Sequence, residues 1–258
     1  MGVINTLLTY LYVYVVAIFY GVLLLLNFLW GFMKNPFVNP WQVKLRLEPP
    51  QPLKDPKYGV HKCVKVNDVI IHYLESGDPS KPLMIFVHGF PEFWYTWRHQ
   101  IVEFNKNYWV VALDMRGYGD SEKPGGTDAY KMETLAKDIR ELIRYLGRDK
   151  CIVVGHDWGS FVSCHLRDTY PECIAALVIV AGGCKSAWQR LIKDNPKQRK
   201  MSWYTFLFQL PYIPELMVTR YDMELFDLML KKNEYTTDKD IECYKYTFGK
   251  PGNNNCTY

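Results

Sequence analysis

The sequence has 258 residues, a formal net charge of +4 and a hydrophobic fraction of 48%. This length fits one α/β domain, or one domain with a small insertion. The densest run of basic residues, Lys197–Lys200, is too short to indicate nucleic-acid binding. The seven cysteines are scattered without a CxxC pair, which argues against a disulfide framework and a zinc site, and favours a reducing compartment.

The N-terminal segment is uncharged between Met1 and Lys34, and residues 7–33 are predominantly apolar. About 20 apolar residues cross a bilayer core. The segment lacks the basic start and small-residue cleavage site of a signal peptide, and it is long for a buried core helix. Residues 7–33 therefore predict a single-pass membrane anchor. Because basic residues follow this segment, we expect an endoplasmic reticulum protein with its main domain in the cytosol.

Residues 34–58 are rich in proline, which predicts an extended linker. Apolar strand runs then alternate with helical patterns across residues 59–183, which predicts a mainly parallel sheet with helices on both faces. The predicted helix 134–146 places Asp138 on its polar face. The expected strands are 63–66, 69–74, 83–87, 109–113, 151–154 and 176–181, and the expected helices are 134–146 and 160–169. Residues 184–258 show helical stretches such as 222–230, which predicts an incomplete helical lid.

One motif, Gly155-His156-Asp157-Trp158-Gly159, directly follows the predicted strand 151–154. Small residues two positions either side of a central residue allow a sharp strand-to-helix turn that presents the central side chain. We expect Asp157 to be a carboxylate nucleophile that forms an ester. The alternative is that Asp157 only caps the helix.

A second motif, His88-Gly89-Phe90-Pro91, follows strand 83–87, and a third, residues 114–121, follows strand 109–113. We expect the backbone N–H groups of Phe90 and Trp158 to form an oxyanion hole. His88 and the third motif are predicted to shape the loops rather than to react.

The sequence resembles the α/β-hydrolase-fold epoxide hydrolases, especially their membrane-anchored branch. The resemblance lies in three motifs taken together, residues 88–100, 114–121 and 155–159. The resemblance covers residues 58–250 and implies that Asp157 attacks an epoxide carbon. It implies a lid tyrosine as proton donor, with Tyr204 as the candidate, and a later His–acid pair that activates water to give a diol. It implies no cofactor, and the lid aromatics and the membrane segment favour hydrophobic epoxides, with lipid epoxide detoxification as the expected role.

The sequence departs from this family after residue 165, where no histidine occurs. The family order places the catalytic histidine late in the chain. We therefore expect a C-terminally truncated form that lacks the last strands, the histidine, its acid and the second lid tyrosine, and whose turnover is doubtful. Two alternatives stay open: a non-catalytic membrane-tethered pseudoenzyme, and a haloalkane dehalogenase-like hydrolase, in which an asparagine commonly stands where Phe90 does.

Overall fold

The protein is described here by a computed structural model that covers residues 2–250, with side chains from residue 5 onwards. The tail 251–258 lies outside the described residues. The expected departure from the family pattern rests partly on this tail. The described chain forms two compact units. One holds the residues up to Glu48 together with Gln189–Gly249, and the other holds Pro49–Trp188 together with Lys250.

The second unit contains a six-stranded sheet in the order β1-β2-β4-β3-β5-β6. Strands β1 and β2 pair antiparallel, as do β2 and β4, whereas β4, β3, β5 and β6 run parallel. The predicted mainly parallel sheet is therefore confirmed. The strands are β1 Val60–Val66, β2 Val69–Ser76, β3 Leu83–Val87, β4 Trp109–Leu113, β5 Cys151–His156 and β6 Ile174–Val180.

The central strands β3 and β4 are buried at every residue, as their continuous apolar sequences predict. Strand β6 is equally apolar but lies at one edge of the described sheet. Its side chains are only partly covered: Val178 is 44% exposed and Val180 is 40% exposed. Edge position, rather than composition, explains this exposure.

Helices α2 (Arg98–Phe104), α3 (Met132–Tyr145) and α4 (Trp158–Thr169) pack with the sheet. The apolar face of α3 is buried, as predicted, but the expectation that Asp138 lies on the polar, exposed face is wrong. Asp138 is buried and accepts two hydrogen bonds of 2.7 Å from the guanidinium of Arg116. Asn67 donates a third hydrogen bond to it at 2.7 Å. A buried carboxylate needs such partners, and Asp138 thereby ties α3 to the loop after β4.

The first unit is helical, and it begins with α1, Gly2–Lys34. Among the described residues, α1 is long and apolar enough to cross a membrane, by length and composition. The other helices are α5 Lys185–Asp194, which starts in the second unit, α6 Pro196–Met201, α7 Trp203–Leu207, α8 Ile213–Leu230 and α9 Asp238–Gly249. The backbone of α8 leaves helical geometry from Arg220 to Met223, so the helix predicted over 222–230 is part of a longer, interrupted one.

Part of the predicted linker is bonded to this helical unit. The guanidinium of Arg46 donates to both carboxylate oxygens of Asp222 at 2.7 Å and to Glu242 at 2.9 Å. The Arg46 hydrogen bond lowers the pKa of Asp222 although burial opposes this, and it lowers the pKa of Glu242 in the same way. These bonds hold the segment before Glu48 against α8 and α9.

The cysteines also depart from the sequence-based expectation. Cys164 on α4 and Cys184 form a disulfide, with their Cα atoms 5.4 Å apart. The sequence argued against a disulfide framework, but the fold brings together these two residues, which have no motif spacing. Cys151 and Cys173 are buried free thiols.

Candidate active site

A one-residue turn at the end of strand β5 carries Asp157. Strand β5 ends at His156 and α4 begins at Trp158, so Asp157 alone makes the connection, with φ 49° and ψ −120°. A residue other than glycine rarely adopts a positive φ, and such strain persists only where the surroundings impose it. The sequence predicted this turn between β5 and α4.

The two flanking glycines are required by packing. A Cβ at Gly155 would lie 2.6 Å from the Ser163 hydroxyl oxygen and 2.7 Å from the carbonyl oxygen of Gly159. A Cβ at Gly159 would collide with the carbonyl oxygens of Val87 and His88, at the end of β3. Neither position can accept a side chain unless the backbone moves, so the glycines allow α4 to start close against the sheet.

The loop after β3 lies directly against the Asp157 carboxylate. The backbone N–H of Phe90 donates a hydrogen bond of 3.1 Å to Asp157 Oδ1. A Cβ on Gly89 would fall 2.5 Å from the Asp157 Cβ and 2.7 Å from Oδ1, so glycine is needed there too. The Phe90–Pro91 peptide bond is cis. Trp158 is the first residue of α4, and the first amides of a helix have no partner within the helix.

His88 is fully buried, and both of its ring nitrogens are engaged. Nδ1 donates to the carbonyl oxygen of Gly89 at 2.8 Å, and Nε2 accepts from the backbone N–H of Met115 at 3.0 Å. These partners set the tautomer. Burial lowers the pKa of His88, which keeps the ring neutral. The ring thus joins the loop after β3 to the loop after β4.

Glu92 is a site residue that the sequence analysis missed. Its Oε2 accepts from Nδ1 of His156 at 2.8 Å and from the backbone N–H of Gly89 at 2.8 Å, and its Oε1 accepts from Thr96. The hydrogen bond to Glu92 raises the pKa of His156 against the effect of burial, and the nearby Asp157 adds to the rise. Burial opposes ionisation of Glu92, yet its bond to His156 lowers the pKa of the carboxyl. Glu92 and His156 therefore form a hydrogen-bonded pair beside Asp157 in which each residue favours the charged form of the other.

We expect Glu92→Gln to lower the pKa of His156, because the hydrogen bond that favours the imidazolium is lost while the burial that opposes it remains. The measurement is an NMR titration of the His156 ring, assigned with a His156→Gln variant. Glu103→Gln, which changes an exposed carboxylate on α2 paired with Lys106, is the matched control. An unchanged His156 titration in Glu92→Gln would contradict the assignment of the pair.

A buried chain of polar groups supports the loop after β4. Asp114 Oδ2 accepts from Nδ1 of His72 at 2.7 Å, and His72 Nε2 lies 2.9 Å from Nδ1 of His61. Asp114 Oδ1 accepts from the backbone N–H of Trp94 at 2.8 Å. Burial opposes ionisation of Asp114, but His72 lowers its pKa to about 2. An ionised Asp114 therefore holds together the two loops that flank the site.

We expect this carboxylate to make the fold sensitive to acid. Its pKa in the folded state, about 2, is below the ordinary 3.8. The stabilisation is therefore complete above about pH 4 and is lost as the pH falls toward 2. Asp114→Asn should remove about 2 kcal/mol of this pH-dependent stability, measured by urea unfolding across the acid range. Asp149→Asn, at an exposed position, is the control. Parallel acid profiles for wild type and Asp114→Asn would disprove the role.

Tyr204, the predicted lid donor, lies on α7 in the first unit, and Asp157 lies in the second. The Tyr204 ring is partly buried and packs against Phe208, with the ring centroids 5.7 Å apart. Within residues 2–250, no group of three or more His, Cys, Asp or Glu side chains is arranged to hold a metal ion. The structure thus brings together Asp157, the Phe90 amide, His88 and the Glu92–His156 pair.

Several known proteins are similar to this chain. Residues 82–209 match the α/β hydrolase fold family. The chain is 37% identical over 238 residues to epoxide hydrolase 4 of Mus musculus, covering 88% of this chain and 66% of that protein. It is 36% identical to the AB hydrolase superfamily protein YfhM of Bacillus subtilis (strain 168), covering 74% of this chain and 69% of that protein.

A solved structure is also similar to this chain. The Bacillus megaterium epoxide hydrolase, crystallised with an inhibitor, superposes with a TM-score of 0.69 at 36% identity, covering 73% of this chain and 66% of that one. The chain spans just under two thirds of the Mus musculus epoxide hydrolase 4. It spans 60% of epoxide hydrolase 3 of the same organism. The chain belongs to the α/β-hydrolase superfamily, and it is similar to the epoxide hydrolases within that superfamily.

Proposed function

We propose that the protein opens hydrophobic epoxides through a covalent ester on Asp157. The observation that carries the proposal is the Asp157 carboxylate at the apex of a strained turn, with Oδ1 held by the Phe90 N–H at 3.1 Å. A carboxylate presented at the start of a helix can attack an electrophilic carbon. A residue that only capped the helix would bond to the first amides of α4, and no side-chain cap bond is formed.

The proposed reaction forms one bond and breaks one. An oxygen of Asp157 bonds to an epoxide carbon, the ring C–O bond breaks, and the ring oxygen takes a proton. A neutral tyrosine hydroxyl can supply this proton, and Tyr204 is the proposed donor. We propose that the amides of Phe90 and Trp158 stabilise the negative charge that develops when water attacks the ester carbonyl.

Attack by water requires a general base, and the sequence has no histidine after residue 165. Ester formation on Asp157 precedes that step and can be observed by itself. The proposed arrangement is an anchor over 7–33, a linker over 34–58, a hydrolase core over 59–183 and a lid over 184–258. The bilayer would be that of the endoplasmic reticulum, with the core in the cytosol.

The test is to incubate the full chain, in detergent micelles, with a long-chain terminal epoxide such as 1,2-epoxyhexadecane. Intact-mass spectrometry should show a gain equal to the whole epoxide, and peptide mapping should place it on Asp157. Folded protein that gains no mass, or gains it elsewhere, would overturn the proposal. A 1-haloalkane of equal chain length is the second arm. Halide release with that substrate and no reaction with the epoxide would support dehalogenase chemistry instead.

A further inference from the structure

Two histidines of the antiparallel strands lie in a row between a carbonyl group and a carboxylate. His61 Nε2 is 3.1 Å from the carbonyl oxygen of Leu53, and His61 Nδ1 is 2.9 Å from Nε2 of His72. His72 Nδ1 is in turn 2.7 Å from Asp114 Oδ2. His72 and Asp114 are fully buried, and His61 is partly buried. All the ring nitrogens of this row therefore face a partner at hydrogen-bond distance.

The two ends of the row can only accept hydrogen bonds. A backbone carbonyl has no proton to donate. Burial opposes ionisation of Asp114, but His72 lowers its pKa to about 2. Both carboxylate oxygens already accept backbone N–H groups: Oδ1 from Trp94 at 2.8 Å and Oδ2 from Asp120 at 3.0 Å. Asp114 is therefore an ionised acceptor, and every proton in the row must come from the two rings.

Counting these protons shows that two neutral rings are not sufficient. A neutral imidazole carries one N–H group and one acceptor nitrogen, so two neutral rings supply two protons. The row contains three contacts, and each of them needs one proton between its two atoms. One ring must therefore be an imidazolium. This count does not depend on which of the two rings carries the third proton.

The surroundings indicate where the third proton resides. Burial and the neighbouring His72 lower the pKa of His61, against the opposing effect of the Leu53 carbonyl and two nearby carboxylates. This favours the ring between Asp114 and His61 as the imidazolium. Other charged or titratable groups near the row, among the described residues, lie on the loops after β3 and β4 and at position 250: His88, Asp120, Lys123 and Lys250.

The Leu53 end of the row belongs to the segment through which the chain enters the second unit. Residues Gln51–Lys54 form a short 3-10 helix just before β1, and Leu53 and Tyr58 are buried. The Tyr58 ring packs on the Trp94 ring with the centroids 5.9 Å apart, and the His61 ring packs on Trp94 at 5.2 Å. The hydrogen bond from His61 to Leu53 thus holds residues 51–58 over this aromatic cluster.

We propose that the row from Leu53 to Asp114 is a proton-dependent latch that holds residues 51–58 on the core. When the third proton leaves to water, two acceptor atoms face each other at one of the contacts, and that contact is lost. The closed latch needs the proton, so it is favoured at low pH. It should open as the pH rises through the range of about 5–8 in which histidines titrate. The inference is independent of the proposed reaction.

The first measurement is the number of protonated ring nitrogens, from ¹H–¹⁵N NMR of the full chain in detergent micelles. His61→Gln and His72→Asn provide the assignments. At the low end of the range we expect N–H signals from three of the four nitrogens of these two rings, as the three contacts require. At the high end only two should remain. Two N–H signals throughout the range would overturn the proposal.

The second measurement is hydrogen exchange of the backbone amides of residues 51–58, expressed as protection factors that correct for the intrinsic effect of pH. The Leu53 amide donates to the Pro50 carbonyl at 3.0 Å and reports on the segment. Its protection should fall about tenfold as the third proton leaves, because one buried contact is lost. Protection that stays constant while the ring nitrogens titrate would overturn the proposal.

Two variants remove the need for the third proton in different ways. His61→Gln supplies an amide N–H that can donate to the Leu53 carbonyl at any pH. His72→Asn keeps a donor to Asp114 and leaves His61 free to hold its single proton at Nε2. Protection of residues 51–58 should be independent of pH in whichever of these variants folds. His165→Gln, on α4, is the matched control and should keep the pH dependence of wild type. A wild-type pH dependence in His61→Gln or His72→Asn would contradict the latch.

Discussion

Asp157→Asn is expected to abolish the covalent adduct with a long-chain epoxide, lowering its rate of formation by at least ~10³-fold. The amide keeps the shape of the side chain and can still accept the Phe90 N–H, but it has no anionic oxygen to attack carbon. The fold should therefore be retained while the chemistry is lost. The measurement is the time course of the adduct by intact-mass spectrometry under single-turnover conditions.

The matched control is Asp149→Asn, which makes the same change at an exposed position outside the site. Adduct formation in this variant should match wild type within the error of the measurement. If Asp157→Asn forms the adduct as fast as Asp149→Asn, Asp157 is not the nucleophile and the epoxide-opening proposal fails. A loss of adduct in both variants would point to damaged protein, which circular dichroism identifies.

Gly159→Ala is expected to destabilise the fold by about 3 kcal/mol or more, which is large for the addition of one methyl group. The new Cβ would collide with the carbonyl oxygens of Val87 and His88, which are backbone atoms and cannot turn aside as a side chain would. Relief requires α4 to move away from β3. We expect the melting temperature to fall by roughly 6–12 °C, measured by thermal unfolding in the same detergent.

Gly125→Ala is the control for this prediction, because a Cβ there has no atom within 4 Å and the residue does not have a positive φ. It should be neutral or slightly stabilising, since alanine restricts the unfolded chain. Equal stability of the two variants would show that α4 does not pack against β3 as described. The movement of α4 should also carry Asp157 away from the Phe90 amide, so adduct formation should slow in Gly159→Ala.

Much of the fold was predictable because buried parallel strands have a direct sequence signature. The apolar runs of β3 and β4 fixed their position to the residue, and the alternation of strands and helices indicated the sheet type. The ends of the strands were predicted less accurately, since β5 continues to His156 and β6 begins at Ile174. Pairing between these neighbouring strands extends each of them beyond its apolar centre. The burial of Asp138 was not predicted, because it depends on a hydrogen bond with Arg116, which is 22 residues away in the sequence. The spacing of apolar residues along a helix gives no information about such a partner.

The nucleophile turn was predictable because its glycines are a local steric requirement. The Glu92–His156 pair was missed because its members are 64 residues apart. A topological signal was available: Glu92 follows β3 and His156 ends β5, and these strands are parallel neighbours, so their carboxyl ends meet. The Cys164–Cys184 disulfide had no comparable signal, since it joins α4 to an irregular segment after β6.

Strand β6 has one further consequence, for how copies of the protein behave together. Within the described residues, β5 pairs with one side of β6, and no strand pairs with the other. That side presents a row of backbone N–H and C=O groups. The side chains of the strand are Ile, Ala, Leu and Val. Such a row can accept a strand from a second molecule by simple ladder extension. Where that side of β6 stays unpaired, self-association should rise steeply with protein concentration, and a lysine or proline within Ile174–Val180 should suppress it.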